Sequence, residues 1–320
     1  MSAALAVSII NYRTADLTIA AVASVLDDLG QREARVVVVD NASGDGSAEA
    51  IAAWITERGD GRVQLVRSAT NSGFSGGHNQ GMAAAPRADF YLILNSDAVL
   101  RPGFFDAILA AAKAHPKAGL IAPRLEDEDT TVQTSCFRFA SPASELIRGA
   151  GSGPVTKLFA HRVVALELPP DPDKIDWASF ACILLRGETL RTVGPMDEGY
   201  FLYYEDSEYA LRAGRAGWSV VYAPEARAVH YRGGSGPVKA MQKAKKRLPA
   251  YFWRSRARFL RQAHGPMGPF LGNLAWGLGR AIAQTRRLMG KPVPPAHEGE
   301  WRDIWTNLTT PLAPDTELRG

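Results

Sequence analysis

Four short runs of apolar, largely β-branched residues constrain what this chain can fold into, because turn residues or helical spacing separate them. They are AVSIINY at 6–12, RVVVV at 35–39, QLVR at 64–67 and FYLIL at 90–94. The longer ones are too short for helices and lack in–out alternation, so they read as strands buried on both faces. After the first run, Thr14 offers a helix N-cap and Asp16 sits in the first turn. Leu17, Ala21, Val22, Val25 and Leu29 then recur at helical spacing until Gly30 stops the helix. A second helix is predicted over 48–57. This alternation predicts an α/β fold, a Rossmann-like, mostly parallel sheet flanked by helices. Ligands of such sheets bind beyond the carboxyl ends of the strands. Residues 11–14, Asp40 and Asp97 fall at three of those ends.

Several function classes drop out early. The chain has 320 residues, enough for one large domain or two ordinary ones. Its longest apolar run, 271–283, is interrupted by Arg280 and falls short of the roughly 18 residues that span a bilayer. The N-terminus lacks a basic segment and a cleavage pattern, which predicts a cytoplasmic protein. Cys136 and Cys182 are its two cysteines, too few for a disulfide scaffold or a Cys-based zinc site. Asn11, Tyr12, Arg13 and Thr14 occupy the place where a dinucleotide fold needs glycines, and no Gly-Lys-Ser/Thr loop exists. Hydride transfer and P-loop phosphoryl transfer are therefore disfavoured.

The second half is harder to read. Residues 125–175 carry an acidic run and Gly- and Pro-rich patches, and suggest a mobile loop or an acceptor-facing excursion. Order returns with a strand over 177–186, a short helix over 188–193, and an aromatic cluster at 201–204 that ends in Glu205 and Asp206. A helix over 207–213 and strands over 218–222 and 226–231 follow, then a Gly-rich segment at 233–236. Charge is unevenly spread beneath a net +4: residues 226–297 hold fifteen Lys or Arg and no Asp or Glu, whereas residues 1–225 hold 20 basic against 28 acidic. One block is built to meet something anionic. Within it, Leu248, Tyr251, Phe252, Phe259 and Leu260 alternate with arginines as a basic amphipathic helix.

An ordered set of motifs resembles glycosyltransferase family 2, and within it the bacterial rhamnosyltransferase-like branch. The set comprises VSIINY at 7–12, VVVVDNASGDGS at 36–47, NSGFSGGHNQGM at 71–82, LNSD at 94–97, GPMDEGYFLYYEDSEYALR at 194–212 and VHYRGGSG at 229–236. The resemblance implies a GT-A catalytic domain over 1–236, its nucleotide-sugar half about 1–100 and its acceptor half about 101–236. Residues 237–320 are then a basic helical extension and tail. It also implies an inverting transfer of a sugar from a UDP- or dTDP-linked donor to a hydroxyl of a glycan or polyprenyl-linked acceptor in cell-surface polysaccharide synthesis.

Residue roles follow from the same resemblance. Asp40 would accept the imide N–H of uracil or thymine, while Asn11, Tyr12, Thr14, Asn71, Gly73, Asn79, Asn95 and Ser96 line the donor nucleotide site. The glycines at 73–77 would form a loop that lets backbone approach the ribose or diphosphate. Residues 95–97 stand where the family places its DxD motif, with Asn95 replacing the first Asp. Asp97, completed by His230, is then the ligand of a divalent cation, Mg²⁺ or Mn²⁺, that offsets the charge of a leaving diphosphate. Asp206 matches the general base, with Glu205 helping to position the site. Trp177, Tyr200, Phe201, Tyr203 and Tyr204 are candidates for a sugar or acceptor platform, against ordinary core packing. The basic block suits an anionic membrane surface, with Phe252 and Trp253 at the interface, better than a nucleic acid, since no recognition module accompanies it. The other readings of it are a solvated or oligomer-facing helix pair, or an apolar face packed on the catalytic domain with scattered charges outside. A sugar nucleotidylyltransferase and a non-enzymatic basic adaptor for lipid or nucleic acid are the alternatives.

Overall fold

The computed structural model describes residues 4–231 and 238–313. The chain opens with β1 (Leu5–Asn11), α1 (Ala15–Leu29), β2 (Ala34–Asp40), α2 (Ser47–Arg58), β3 (Val63–Arg67), α3 (Gly73–Ala83) and β4 (Phe90–Asn95). It continues through β5 (Ala98–Leu100), α4 (Phe104–Ala114), β6 (Ala118–Glu126), β7 (Cys136–Phe137), α5 (Pro142–Ala150) and α6 (Gly153–Leu158). Then come β8 (Trp177–Ala178), β9 (Cys182–Arg186), α7 (Gly187–Val193), α8 (Glu205–Arg215) and β10 (Ser219–His230). The last elements are α9 (Val238–Lys243), α10 (Ala250–His264), α11 (Gly268–Leu288) and α12 (Glu300–Asp303).

Eight strands form one sheet in the order β3-β2-β1-β4-β9-β6-β10-β5. β9 and β5 run antiparallel to their neighbours and the remaining pairings are parallel, as the apolar runs predict. The chain winds outward through β1, β2 and β3, then returns to place β4 on the other side of β1. That reversal opens a crevice at the carboxyl ends of β1 and β4. Strand alternation sends Val36 and Val38 into a core beneath α1 and α4, and Val37 and Val39 into a second core on the opposite face. Both faces are covered, which is why RVVVV is apolar throughout.

Three expectations change. The glycines at 73–77 form the first turns of α3, not a loop. A Cβ on Gly81 would lie 2.1 Å from Ser8 Oγ, and one on Gly77 2.7 Å from Ile10 Cδ1, so these glycines bring a helix hard against β1. Residues 177–186 split into β8, which pairs with β7, and the central strand β9. The two strands expected over 218–222 and 226–231 are a single strand, β10, with an irregular register between Ala223 and Arg227. The Gly-rich segment 233–236 lies outside the described residues.

The basic helix α10 turns its apolar side inward. Trp253 is 2% exposed and packs with Leu248, Trp276 and Ile304, with Phe252 against the same cluster. Trp253 is therefore not free for a lipid interface as expected, because the protein itself covers it, and Phe252 is half-buried beside it. Arg256, 1% exposed, reaches Glu145 Oε2 and Asn273 Oδ1, each at 2.8 Å. Arg258 reaches both carboxylate oxygens of Asp197 at 2.9 Å. Much of the charge that reads as solvated in sequence is therefore structural. Among the described residues, no helix is long and apolar enough to cross a membrane.

Candidate active site

Asn11 ends β1 and is fully buried. Its Nδ2 donates to Asp40 Oδ1 at 2.7 Å, Ser47 Oγ at 2.8 Å and Ser43 Oγ at 3.0 Å. Its Oδ1 accepts from the Thr14 amide at 3.2 Å and from Thr18 Oγ1 at 3.1 Å. One amide thus ties the ends of β1 and β2 to the starts of α1 and α2. Asp40 spends its second oxygen on the Ser43 amide, 3.3 Å away. The next residue, Asn41, holds Asn71 and the Gly73 carbonyl through Nδ2, and the Ser72 amide through Oδ1, all at 3.0 Å.

Beyond these ends lies a cavity of about 530 Å³, the size of a small-ligand site. Tyr12, Asn71, Gly73, Asn95, Ser96, Asp97, Glu205, Asp206 and His230 line it, so the structure brings together nine of the predicted site residues. Asn11, Thr14, Asp40 and Asn79 are not in the lining. Thr14 Oγ1 instead meets Ser96 Oγ at 3.1 Å. The side chain of Asn79 clamps the loop before α8, accepting from the Met196 amide at 2.9 Å and donating to its carbonyl at 3.0 Å. Nδ2 also donates to Glu198 Oε1 at 3.1 Å, so the amide has no N–H left for a nucleotide.

Asp97 follows the end of β4 and is 1% exposed. His230 ends β10 and brings Nε2 to within 3.5 Å of Asp97 Oδ1. Backbone pairing fixes the two together: the Tyr231 amide donates to the Asp97 carbonyl, and the His230 carbonyl accepts from Gln133 Nε2. A carboxylate and an imidazole facing one cavity suit Mg²⁺ or Mn²⁺. Among the described residues no group of three His, Cys, Asp or Glu side chains converges, so a cation at this point would meet two such ligands. The remaining positions fit oxygen donors of a diphosphate.

The paired carboxylates are held by an unusual turn. Tyr203 and Tyr204 both adopt the left-handed conformation, with φ of 71° and 69°. Non-glycine residues enter that region at about 1–3 kcal/mol each, and such strain clusters at functional sites. The turn delivers Glu205 and Asp206 as the first residues of α8. Glu205 is buried and its Oε2 has no hydrogen-bond partner among the described residues. Burial, and then the neighbouring Asp206 charge, hold its carboxyl well above the usual range. Burial also pushes Asp206 up to about 7, opposed by hydrogen bonds from Ser207. A carboxyl of that kind can both accept and release a proton near neutrality.

Of the five aromatics, Trp177, Phe201 and Tyr203 line the cavity. Tyr200 is core, fully buried with its hydroxyl bonded to Gln262, and Tyr204 packs on Phe252 and Phe259. The lining also includes residues that sequence reasoning passed over. Phe137 stacks on Trp177 at 4.3 Å between ring centroids, and Tyr251 of α10 lies parallel to Tyr203 at 6.4 Å. Gln133 and Phe137 belong to the unreadable middle, so only their pairing with distant strands places them. His78 sits inside a quoted motif. Burial pushes it down to about 3, so the ring is neutral, with Nδ1 2.9 Å from Ser8 Oγ.

The family model for glycosyl transferase family 2 matches residues 6–145. The chain is 31% identical over 277 residues to an N-acetylglucosaminyl-diphospho-decaprenol L-rhamnosyltransferase of Mycobacterium tuberculosis, covering 81% of this chain and 84% of the relative. The chain belongs to glycosyl transferase family 2. A Haloferax volcanii low-salt glycan biosynthesis hexosyltransferase is 26% identical over 62% of this chain and 59% of its own length. Among solved structures, a mannosyltransferase from Pyrobaculum calidifontis in complex with GDP-Man and Mn²⁺ superposes with a TM-score of 0.56 at 17% identity. That likeness covers 98% of this chain and 85% of the other, and it establishes the GT-A fold. Family 2 membership also displaces the nucleotidylyltransferase and adaptor readings.

Proposed function

We propose that this family 2 enzyme is an inverting glycosyltransferase in cell-surface polysaccharide synthesis. It moves a sugar, with dTDP-linked L-rhamnose the first donor to test and a UDP-sugar the second, to a hydroxyl of a glycan or polyprenyl-linked acceptor. The observation that carries the mechanism is the Glu205–Asp206 pair, the first buried and the second half-buried, in the same cavity as Asp97 and His230. The choice of sugar and acceptor rests on the mycobacterial relative's name.

Asp206 takes the proton from the acceptor hydroxyl as its oxygen attacks the anomeric carbon. The bond from that carbon to the diphosphate breaks on the opposite face, and the configuration inverts without a covalent intermediate. Glu205, held protonated beside it, keeps a second negative charge away from the base. A divalent cation held by Asp97 and His230 would offset the charge of the departing diphosphate. Asn95 and Ser96 lie where ribose or sugar hydroxyls would need partners. Asp40, braced by Asn11, supplies its carboxylate at the base-binding end. Tyr12, Asn71 and Gly73 complete that side, while Thr14 and Asn79 act by positioning it. Residues 1–236 form the catalytic unit in this reading, its donor and acceptor halves meeting at the cavity. Residues 237–320 are an extension contributing Tyr251 to the wall, and the enzyme works in the cytoplasm against a membrane-borne acceptor.

The test is Asp206→Asn assayed with dTDP-rhamnose, UDP-sugars and Mn²⁺. Loss of transfer with donor binding retained supports the assignment. Near-normal turnover would show that another group is the base.

A further inference from the structure

Helix α11 is built inside out. Its buried side consists mainly of small residues, Gly268, Pro269, Gly272, Asn273, Gly279 and Ala283, with Trp276 the one large ring. The large apolar side chains point the other way: Met267 is 55% exposed, Leu271 46%, Leu274 48% and Leu278 59%. At about 100° per residue these positions fall on one face, and Phe270, Leu288 and Met289 extend the same stripe along about 30 Å. The intervening positions on that face, Ala281, Ile282 and Thr285, break it with no charge. Soluble monomers rarely leave such a strip uncovered.

What surrounds the stripe identifies its occupant. Trp305 lies 6.3 Å from the Phe270 ring at one end, and Trp301 is 67% exposed one turn earlier, with Arg302 over its ring. Arg287 and Lys291 are exposed at the other end. The whole stretch 226–297 contains no acidic side chain. A second copy of this chain would set one basic block against another, which like charge disfavours. An apolar face with tryptophans and cations at its ends is what lies flat in the headgroup region of an anionic bilayer.

We propose that α11, together with Trp301 and Trp305, is an interfacial docking face for an anionic lipid bilayer. The face lies on α11, not on the apolar side of α10, which is spent on packing. The choice of lipid as partner rests on the lipid-linked acceptor proposed above. Because α10 carries Tyr251 to the cavity and packs on α11, docking would present the cavity wall to an acceptor held in the membrane.

The experiment is sedimentation of the full chain with vesicles of phosphatidylcholine alone or mixed with phosphatidylglycerol, at low and high salt. The expected result is binding to the mixed vesicles that weakens with salt. The double variant Leu274→Ser/Leu278→Ser should partition at least about tenfold more weakly, since each truncation removes several buried carbons. Its thermal melt and its transfer to a water-soluble acceptor should be unchanged. No sedimentation with either vesicle, or equal sedimentation of the variant, overturns the inference. So does a concentration-dependent dimer that the same variant abolishes. Transfer to the soluble acceptor separates the two readings: its retention without vesicle binding sinks the docking face alone, whereas its absence in the parent chain counts against the proposed reaction.

Discussion

Asp206 sets two pH dependences of opposite sign. As the proposed base it must be ionised, so transfer should rise as pH climbs through the neutral region, well above the range of an exposed aspartate. Stability should run the other way. A folded-state pKa raised from 3.8 to about 7 means the native protein holds its proton longer than the unfolded chain does. The contribution is fully present below 3.8 and is lost as pH rises through about 7. Asp206→Asn should therefore cut the transfer rate by about 10²–10⁴-fold while stabilising the fold at neutral pH by about 0.5–2 kcal/mol. Rate assays and urea melts of the same preparation check both halves; a destabilised variant would mean that Asp206 is a structural cap first. At this scale sequence was informative where a residue stands at the end of a strand or at the start of a helix. Asp97, Asp206, Ser96 and His230 reach the cavity because the backbone aims them there. Asn79 carries the same kind of side chain in an equally recognisable motif, yet its amide is consumed by Met196, a partner 117 residues away. Local pattern cannot register such saturation.

The first four strands were legible because a buried parallel sheet demands unbroken apolar runs, and few other structures do; β5 and β6 were passed over. The middle of the chain was not, for its elements are defined by partners far along the sequence. Helix α5 has little apolar content and is recognisable mainly by its Ser141 capping box; what holds it is α11. The two backbones nearly touch, since a Cβ on Gly149 would lie 2.3 Å from the Trp276 carbonyl and one on Gly279 2.5 Å from that of Leu146. Gly279→Val should destabilise the protein by about 1–3 kcal/mol or more, because neither helix can give way without losing the other. Glu145 gives this junction its charge. Arg148 and Arg256 overcome burial and hold it at about 2, below its usual 4.5. Its contribution is present above 4.5 and lost as pH falls toward 2. Arg256→Ala leaves Arg148 as the remaining partner, so the expected loss is about 3 kcal/mol, read as a lower urea midpoint. An unchanged midpoint would mean that the buried Arg256–Glu145 pair is replaceable.

On the scale of the whole molecule, a sheet that reverses at β1 and β4 collects residues from the first hundred positions, from 125–137, from 177–230 and Tyr251 around one cavity. Donor and metal should therefore stabilise the protein as a unit. A ligand present at 100 times its dissociation constant adds about 2.7 kcal/mol, which for a chain of this size raises the melting temperature by about 4 °C. In the proposed site Asp97 and His230 are the two such ligands among the described residues, so a cation there would need the diphosphate to complete its shell. Mn²⁺ alone should thus shift the melt little, the nucleotide sugar alone modestly, and the two together by more than the sum. Replacing Asp97 by Asn should erase that excess while leaving the shift produced by nucleotide sugar alone. A thermal-shift matrix of donor against Mn²⁺ reads all four states. Equal stabilisation with and without the ion would mean that the cavity holds the diphosphate without metal, and that Asp97 and His230 serve each other rather than a cation.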